Sequence, residues 1–401
     1  VWQIVYRDFL DSNGKFEKSN WINIRKDFLS KKYTNSNEAY EAIRKMLLKL
    51  DDPYTRFLDP KEFNQMRIDT SGELTGVGIQ IIKDKQSDEL IIISPIEGTP
   101  AYEAGIKARD KILSIDNIST KGMNIEDAVK LIRGQIGTKV KLEILRSGNS
   151  FYKSLSREKI EIKSVTSKIN KTKDGILIGY VRIKQFNANA SKEMKDTIND
   201  LEIKKVSGYV LDLRSNPGGL LDSSIDISRQ FIDKGIIVST LSKDGIREIK
   251  RGNGKSLTKK PLIVLVNEGS ASASEIVSGA IRDNNRGKLV GKKTFGKGLV
   301  QSMRTLVDGS GLTVTVAKYL TPNGTDINKF GILPDIEVKM NSNPILQREI
   351  GTRRDKQYRA GELELVKVIK RNKLVSQFKP NSANLLAALQ KKNSKVVFLL
   401  N

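Results

Sequence analysis

Residues 262–276 read Leu-Ile-Val-Leu-Val-Asn-Glu-Gly-Ser-Ala-Ser-Ala-Ser-Glu-Ile. The first five residues are an unbroken apolar run, which is typical of a strand buried on both faces of a parallel sheet. Ser272 and Glu275 then fit the Ser-x-x-Glu pattern of a helix N-cap, so a helix is expected from about Ala273. The stretch therefore predicts a strand, a tight turn with an exposed serine, and a helix.

The sequence around this stretch repeats the alternation of strand and helix. Strand-like segments are expected at 176–183, 208–213 and 261–266, and helices at 191–203, 222–232 and from about 273. Strands that alternate with helices in this way form a mostly parallel sheet. We therefore expect an α/β core over residues 159–340.

The residues on either side of this core have different patterns. Apolar residues at helical spacing predict helices through residues 1–70 that pack on the core. Residues 71–158 contain short β-type runs, two short helices and Gly-containing turns, which indicates a compact, half-open β-barrel. Residues 341–401 are helix-prone and highly charged, so a charged helical tail is expected there.

The composition excludes several kinds of site. The 401 residues include no cysteine and no histidine, so a thiol nucleophile, a zinc-thiolate site and a Ser-His-Asp triad are impossible. Proton transfer near neutral pH must then use a Lys, Asp, Glu or Tyr with a shifted pKa.

The formal net charge is +24, from 70 Lys and Arg against 46 Asp and Glu. Such a charge attracts anionic surfaces and nucleic acid. Because the lysines are scattered and no basic run is interleaved with aromatic residues, we expect no nucleic-acid binding. The charge favours weak peripheral association with an anionic membrane face instead.

The N-terminus carries neither a Met nor the charged-then-apolar pattern of a signal peptide, and no apolar run approaches the roughly 18 residues of a transmembrane helix. We expect the chain to be a mature or trimmed form, with its signal peptide absent.

Ser272 is the first candidate for chemistry. At the start of a helix it would lie beside unpaired backbone N–H groups and the positive end of the helix dipole, which stabilise a negatively charged oxygen. The alternative is that Ser272 only caps the helix, and most serines in such a pattern do no more than that.

Lys297 is the second candidate. It lies between Gly296 and Gly298, which allow a tight turn and a close approach to a substrate, and Gln301 follows four residues later. A lysine shielded from water has a lowered pKa, as a lysine base requires. Gly-Lys-Gly is also common in ordinary turns, so the pattern alone leaves that alternative open.

Residues 211–219, Leu-Asp-Leu-Arg-Ser-Asn-Pro-Gly-Gly, combine a strand end with a glycine turn. The N–H groups of the Gly218-Gly219 turn are candidates for a second donor to the same negatively charged oxygen. Asp212 and Arg214 are interpreted as a structural ion pair or as groups that brace the turn.

A short loop leads into a strand of the β-rich module and consists of Gly76, Val77, Gly78 and Ile79. The third glycine and the following helix of a dinucleotide site are missing. In a half-open barrel such a loop binds a carboxylate, and the adjacent strand adds a peptide as a further strand. The other wall of this peptide site is predicted to be a helix at 125–133, with an apolar face formed by Ile125, Val129 and Ile132.

Six segments occur in the order that is typical of one protein family. They lie at 52–58, 76–79, 213–219, 269–276, 294–301 and 319–324. From residue 1 to about 340 the chain thereby resembles the carboxyl-terminal processing, or tail-specific, serine proteases. The resemblance is strongest to the cyanobacterial and plastid branch, whose substrate is the precursor of the photosystem II D1 protein.

The resemblance implies an α+β multidomain fold. Its parts would be an N-terminal helical region at 1–70, a PDZ domain at 71–158, an α/β, crotonase-like protease core at 159–340 and a charged helical tail at 341–401. It also implies an exported protein of the periplasm or thylakoid lumen.

The resemblance further implies roles for individual residues. In the family the nucleophilic serine precedes the lysine by 25 residues, and 297 − 272 = 25 selects Ser272 over Ser270 and Ser274. Ser272 would then be the nucleophile, Lys297 the general base and Gln301 the residue that orients the lysine.

The remaining implied site residues bind rather than react. The oxyanion donors would be the Ala273 N–H and an N–H of the Gly218-Gly219 turn, and residues 76–79 would bind the free C-terminal carboxylate of a protein substrate. No metal or cofactor is implied.

Two alternatives have a different function. One is a PDZ-bearing peptide-binding scaffold with an inactive protease core. The presence of all three catalytic residue types at the expected positions argues against it. The other is an acyl-CoA enzyme of the crotonase type, which needs no such Ser and Lys pair, and a shared fold does not assign function.

Overall fold

The computed structural model describes residues 1–11, 14–84, 87–339 and 350–377. It divides into two compact units, one that joins residues 1–63 to the chain from residue 164 onward, and one formed by residues 64–163. In these described ranges, no helix combines the length and the apolar character needed to cross a membrane.

The helices in the described residues are α1 (Trp2–Asp8), α2 (Lys15–Lys18), α3 (Trp21–Leu29), α4 (Ser36–Leu48), α5 (Pro60–Ser71), α6 (Pro100–Glu103), α7 (Ile125–Ile132), α8 (Ala190–Ile203), α9 (Leu221–Arg229), α10 (Ala273–Asp283) and α11 (Lys356–Gln377). The strands are β1 (Arg56–Leu58), β2 (Glu73–Gly76), β3 (Ile79–Lys83), β4 (Leu90–Pro95), β5 (Lys111–Ile115), β6 (Ile118–Ser119), β7 (Lys139–Arg146), β8 (Asn149–Ser156), β9 (Glu158–Glu161), β10 (Val165–Lys171), β11 (Leu177–Ile183), β12 (Gly208–Asp212), β13 (Ile236–Ser242), β14 (Arg247–Arg251), β15 (Leu262–Val266), β16 (Lys288–Gly291), β17 (Leu299–Thr305), β18 (Gly311–Leu320) and β19 (Ile336–Glu337).

The first unit is built on a six-stranded sheet with the order β10-β11-β12-β15-β16-β19. All neighbours in it are parallel except β10 and β11. The predicted strands and helices of the α/β core are confirmed by β11, β12, β15, α8, α9 and α10.

Both faces of this sheet are buried, as the apolar run at 262–266 predicts. Leu262, Val264 and Val266 pack in a core cluster with residues of α8, α9 and α10. Ile263 and Leu265 point to the other face and pack in a second cluster with residues of α11. Because alternate residues of β15 enter different cores, every position of the strand is apolar.

Part of the predicted charged tail is an element of this core. Tyr358, Leu365 and Ile369 of α11 are buried against the second face of the sheet, and Gly361 allows α11 to approach Leu265. The charged residues that fill the rest of α11 concealed this apolar stripe in the sequence. Residues 340–349 and 378–401 lie outside the described residues.

A buried ion cluster joins α11 to the end of β12. The Arg214 guanidinium donates to Asp212 at 2.5 and 2.9 Å and to Asp355 at 2.6 and 3.0 Å, and Tyr180 donates its hydroxyl to Asp212. The predicted ion pair between Asp212 and Arg214 is confirmed. Burial alone would raise the pKa of the Asp355 carboxyl, but the bonds from Arg214 outweigh it and lower that pKa.

A second, antiparallel sheet lies in the same unit and has the order β1-β18-β13-β14, with β17 also paired to β18. Leu312 and Val314 of β18 share a core cluster with Phe57 of β1 and with Val5 and Trp21 of the N-terminal helices. The N-terminal helical region is therefore packed on a sheet of the core unit. This antiparallel sheet was not predicted from the sequence.

The second unit contains the sheet β3-β4-β5-β7-β8, in which all neighbours are antiparallel, and β6 pairs with β5. Ala128 and Ile132 of α7 are buried in its core together with Leu90, Ile112 and Leu142 from three of the strands. The predicted half-open β-rich module with a helix near 125–133 is confirmed.

We predict that Asp355→Asn lowers the free energy of unfolding by about 3 kcal/mol, because it leaves the buried Arg214 charge only partly compensated. The measurement is chemical denaturation of the variant beside Lys370→Ala. Lys370 also tethers α11, through an exposed pair with Asp174, and its loss should leave the transition unchanged. Equal transitions for Asp355→Asn and the wild type would contradict the account.

Candidate active site

Ser272 lies at the turn between β15 and α10, in the N-cap position of the helix. Its φ of 54° and ψ of −114° are rarely adopted by a residue with a side chain. Such backbone strain is found where the surrounding structure holds a residue for a functional purpose. Ser272 therefore occupies a strained turn, and it is half-buried there rather than exposed as the sequence predicted.

The carboxylate of Glu275 ties this elbow to the loop that carries Lys297. Glu275 is completely buried and accepts bonds from the backbone N–H of Ser272 at 2.9 Å and of Lys297 at 2.9 Å. It also accepts from the Gly296 N–H at 2.7 Å and the Thr294 hydroxyl at 2.6 Å. Four donors thus satisfy one buried charge, which would otherwise be costly to bury.

Tyr319 of β18 makes a second bridge between the same two residues. Its hydroxyl lies 3.1 Å from the carbonyl oxygen of Ser272 and 2.6 Å from that of Lys297. Burial of the ring, with the nearby Glu275 charge as a further cause, raises the pKa of Tyr319 well above its ordinary value. Tyr319 therefore stays a neutral donor, and the backbones of Ser272 and Lys297 are held side by side.

The Lys297 side chain is half-buried, and its amine faces an aromatic ring rather than a hydrogen-bond acceptor. Its Nζ makes no hydrogen bond or ion pair with any residue that the structure describes, and it lies 4.6 Å from the ring centroid of Tyr54. Burial lowers the pKa of Lys297, and repulsion from Arg56 lowers it further, while Asp52 and Glu275 partly oppose this shift. The surroundings of Lys297 therefore shift the pKa of its amine downward.

The two side chains of the predicted dyad are not hydrogen-bonded to each other. The structure records no hydrogen bond between Lys297 Nζ and Ser272 Oγ, and such catalytic bonds are often long before a substrate binds. Gln301 lies on β17, where its Nε2 is 3.5 Å from Thr315 Oγ1 on β18. Gln301 is close to the lysine in sequence but is not bonded to its amine.

The Gly218-Gly219 turn packs directly against the serine. A Cβ added to Gly218 would lie 2.8 Å from Ser272 Cβ and 3.0 Å from the Ala273 nitrogen. The Gly218 N–H already donates to Asn216 Oδ1 at 2.9 Å. Among the described residues the N–H groups of Gly219 and Ala273 have no acceptor, in contrast to that of Gly218.

The predicted carboxylate loop lies between β2 and β3 of the second unit. Gly78 has a φ of +79°, and an added Cβ would lie 2.2 Å from Thr99 Oγ1, so only glycine fits there. The N–H groups of Val77 and Gly78 have no acceptor among the residues described. Gly76 and Ile79 are the flanking residues, in β2 and β3.

Strand β3 forms one edge of its sheet, so its outer side is open to a further strand. Ile79 and Ile81 of β3 and Ile125 of α7 are partly buried against the same core. Ile132 is fully buried and Val129 is half-buried. The structure therefore places the loop, an open strand edge and an apolar helix in one unit, as a peptide groove requires.

Three residues of the site are not predicted from the sequence. The sequence indicates Glu275 only as half of a capping pattern, and Tyr319 and Tyr54 only as parts of the family segments. The Ser-x-x-Glu spacing is a usable signal for Glu275, because its carboxylate does accept from the Ser272 N–H. Tyr54 and Tyr319 contact residues distant in sequence, so no local pattern marks them.

Two parts of the chain match known protein families. Residues 177–338 match peptidase family S41, and residues 91–146 match a PDZ domain. The carboxyl-terminal-processing protease of Synechocystis sp. is 43% identical over 362 residues, which is 90% of this chain and 84% of that protein. The chain belongs to peptidase family S41.

Other relatives extend the match. The chloroplastic C-terminal processing peptidase of Tetradesmus obliquus is 38% identical over 353 residues, covering 84% of this chain and 76% of that protein. A solved structure of a photosystem II D1 C-terminal processing protease is 37% identical, with a TM-score of 0.54, and covers 84% of this chain and 91% of its own.

Membership in family S41 defines the class of this protein. It is a C-terminal processing serine protease, a hydrolase, with a PDZ domain. The predicted fold class and family are confirmed, and the readings as an acyl-CoA enzyme or an inactive scaffold lose their support.

We predict that Glu275→Gln lowers kcat/KM for peptide hydrolysis at least about 100-fold. The amide nitrogen of glutamine would face N–H donors, so buried donors of the Ser272 and Lys297 loops would lose their acceptor. Glu268→Gln is the matched control, because Glu268 is 68% exposed on the same turn. Wild-type kcat/KM in Glu275→Gln would show that the hydrogen bonds accepted by the Glu275 carboxylate are not needed for hydrolysis.

Proposed function

We propose that this S41 protease uses Ser272 as the nucleophile and Lys297 as its general base. The observation that carries the proposal is the double bridge by Glu275 and Tyr319, which holds both backbones together and leaves the lysine amine without a hydrogen-bond partner among the described residues. A buried amine of lowered pKa is what proton abstraction from a serine requires.

In the first half-reaction the neutral Lys297 amine accepts the proton of the Ser272 hydroxyl as Oγ attacks the scissile carbonyl carbon. The carbonyl oxygen becomes an oxyanion, for which we propose the N–H groups of Ala273 and Gly219 as donors. Gly218 can join them only if its N–H leaves Asn216. Each such donor is worth about 3 kcal/mol in the transition state.

The Lys297 ammonium then donates its proton to the leaving amine, and the C-terminal fragment departs. In the second half-reaction Lys297 takes a proton from water, which attacks the acyl group on Ser272, and the proton returns to Oγ. We assign to Gln301 the orientation of the lysine, on the support of its place on β17 beside Thr315 and four residues after Lys297.

We further propose that residues 76–79 of the PDZ domain bind the free C-terminal carboxylate of the substrate. Support comes from the open N–H groups of Val77 and Gly78 and from the free edge of β3. Backbone donors hold a carboxylate without a charged side chain, and the substrate backbone then adds a strand to β3.

The names of the relatives support one physiological substrate. Because a D1 C-terminal processing protease is 37% identical to this chain, we propose the photosystem II D1 precursor as a substrate. We also propose location in the periplasm or thylakoid lumen, and peripheral association with anionic membrane surfaces through the charge of +24.

We predict that kcat/KM for an unstructured peptide rises with pH along a limb set by Lys297. Only the neutral amine is active, and because burial lowers the pKa of Lys297 the limb should lie below the ordinary lysine value of 10.5. Ser272→Ala should abolish hydrolysis at every pH with little loss of stability. A flat profile in the wild type, or hydrolysis by Ser272→Ala, would contradict the assignment.

We predict that a substrate with an amidated C-terminus is cut with a KM at least about tenfold higher than its free-carboxylate twin, since the amide loses the charge that the loop N–H groups bind. Gly78→Val should impair binding of the free-carboxylate peptide, because the added side chain meets Thr99. A short peptide that needs no PDZ binding serves as control. Equal cleavage of both twins would show that the loop does not bind the C-terminus.

A further inference from the structure

The Lys297 amine has one notable neighbour outside the loops that carry the dyad. The ring of Tyr54, from the N-terminal part of the chain, has its centroid 4.6 Å from Lys297 Nζ. This distance is within the range of cation–π attraction. Since the described residues offer Nζ no hydrogen bond, the ring of Tyr54 is a contact that can position the amine.

Tyr54 is itself held firmly by β18. The Thr313 hydroxyl donates to the Tyr54 carbonyl oxygen at 2.8 Å, and the Tyr54 N–H donates to Asp52 Oδ1 at 3.2 Å. Next to it, the Thr55 hydroxyl donates to Asp52 Oδ2 at 2.7 Å and accepts from the Thr315 N–H at 3.1 Å. The position of the ring is therefore set by the pairing of the N-terminal segment with the sheet.

The same Thr315 connects this segment to the predicted third member of the site. Gln301 Nε2 lies 3.5 Å from Thr315 Oγ1, while the Thr315 N–H binds the Thr55 hydroxyl. The segment at 52–58 thus borders the active site at two points. Tyr54 lies beside the amine of Lys297, and Thr55 binds Thr315, which lies next to Gln301.

We propose that Tyr54 is a positioning residue for the general base, so that the segment at 52–58 completes the active site. The inference rests on the proposed role of Lys297. An aromatic face stabilises the ammonium formed during catalysis without accepting a directed hydrogen bond. A carboxylate in the same place would hold the proton and raise the pKa of the amine.

At 4.6 Å the ring also occupies space beside the amine that water would otherwise fill. The charged groups near Lys297 are Arg56 and Asp52 on the N-terminal segment and Glu275 on α10, and the Tyr319 hydroxyl donates to the Lys297 carbonyl oxygen. Burial is the largest cause of the lowered pKa of Lys297. Removing the ring should therefore move the pKa of the amine upward, despite the loss of the attraction between ring and ammonium.

The test is the pH dependence of kcat and kcat/KM for an unstructured peptide, with thermal unfolding measured beside it. For Tyr54→Ala we expect kcat at the alkaline plateau to fall about tenfold or more, and the rising limb to shift up by about one pH unit. Tyr54→Phe should restore both, because it keeps the ring face. Tyr54→Leu, which keeps most of the bulk, should still show a lower kcat and so covers the case that Tyr54→Ala does not fold.

Tyr40→Ala is the matched control. Tyr40 also lies in the N-terminal region, with its ring 4.8 Å from Phe57 and its hydroxyl bonded to Asp308. Its loss should lower the melting temperature and leave the pH limb in place. A wild-type limb and kcat in Tyr54→Ala and Tyr54→Leu, or an equal limb shift in Tyr40→Ala, would overturn the inference.

Lys297→Ala separates this inference from the proposed function. If Lys297→Ala hydrolyses the peptide at the wild-type rate, the assignment of the base is wrong. If Lys297→Ala is inactive while the Tyr54 variants behave as wild type, only the positioning role of Tyr54 is wrong.

Discussion

The buried carboxylate of Glu275 is the contact on which the active site depends. It accepts bonds from the Ser272 and Lys297 N–H groups, which come from two loops 25 residues apart in the chain. A charge at zero exposure is tolerated only because four donors surround it. Because this charge must be satisfied, it fixes the relative positions of the Ser272 and Lys297 backbones, which carry the proposed nucleophile and base.

The rest of the core unit supports the Glu275 contacts from two sides. β15 is held in place because alternate residues of the strand are buried in two different cores, and Ser272 follows its carboxyl end. On the other side, β18 brings Tyr319 to the carbonyl oxygens of the dyad and holds Tyr54 against the lysine amine. The active site is thus formed where the parallel and the antiparallel sheets contribute to one set of contacts.

The sequence predicted what depends on local pattern. The β15 run, the Ser272 turn, α10 and the edge strand of the PDZ domain follow from periodicity and turn residues, and the structure contains them. The pairing of β1 with β18 joins residues more than 250 positions apart, and no local pattern encodes it. For the same reason no local pattern predicts the bonds that Glu275 and Tyr319 make to the Lys297 backbone, although the Ser-x-x-Glu spacing does mark the bond from the Ser272 N–H to Glu275.

The most direct test of the account is to locate the reactive serine by mass spectrometry after treatment with a serine-directed fluorophosphonate. The account predicts a label on Ser272 and not on Ser270 or Ser274, which lie in the same segment but donate their hydroxyls to the Leu213 and Asn216 carbonyls. Labelling should be lost in Lys297→Ala. A label on another serine, or an unchanged labelling rate without Lys297, would contradict the account.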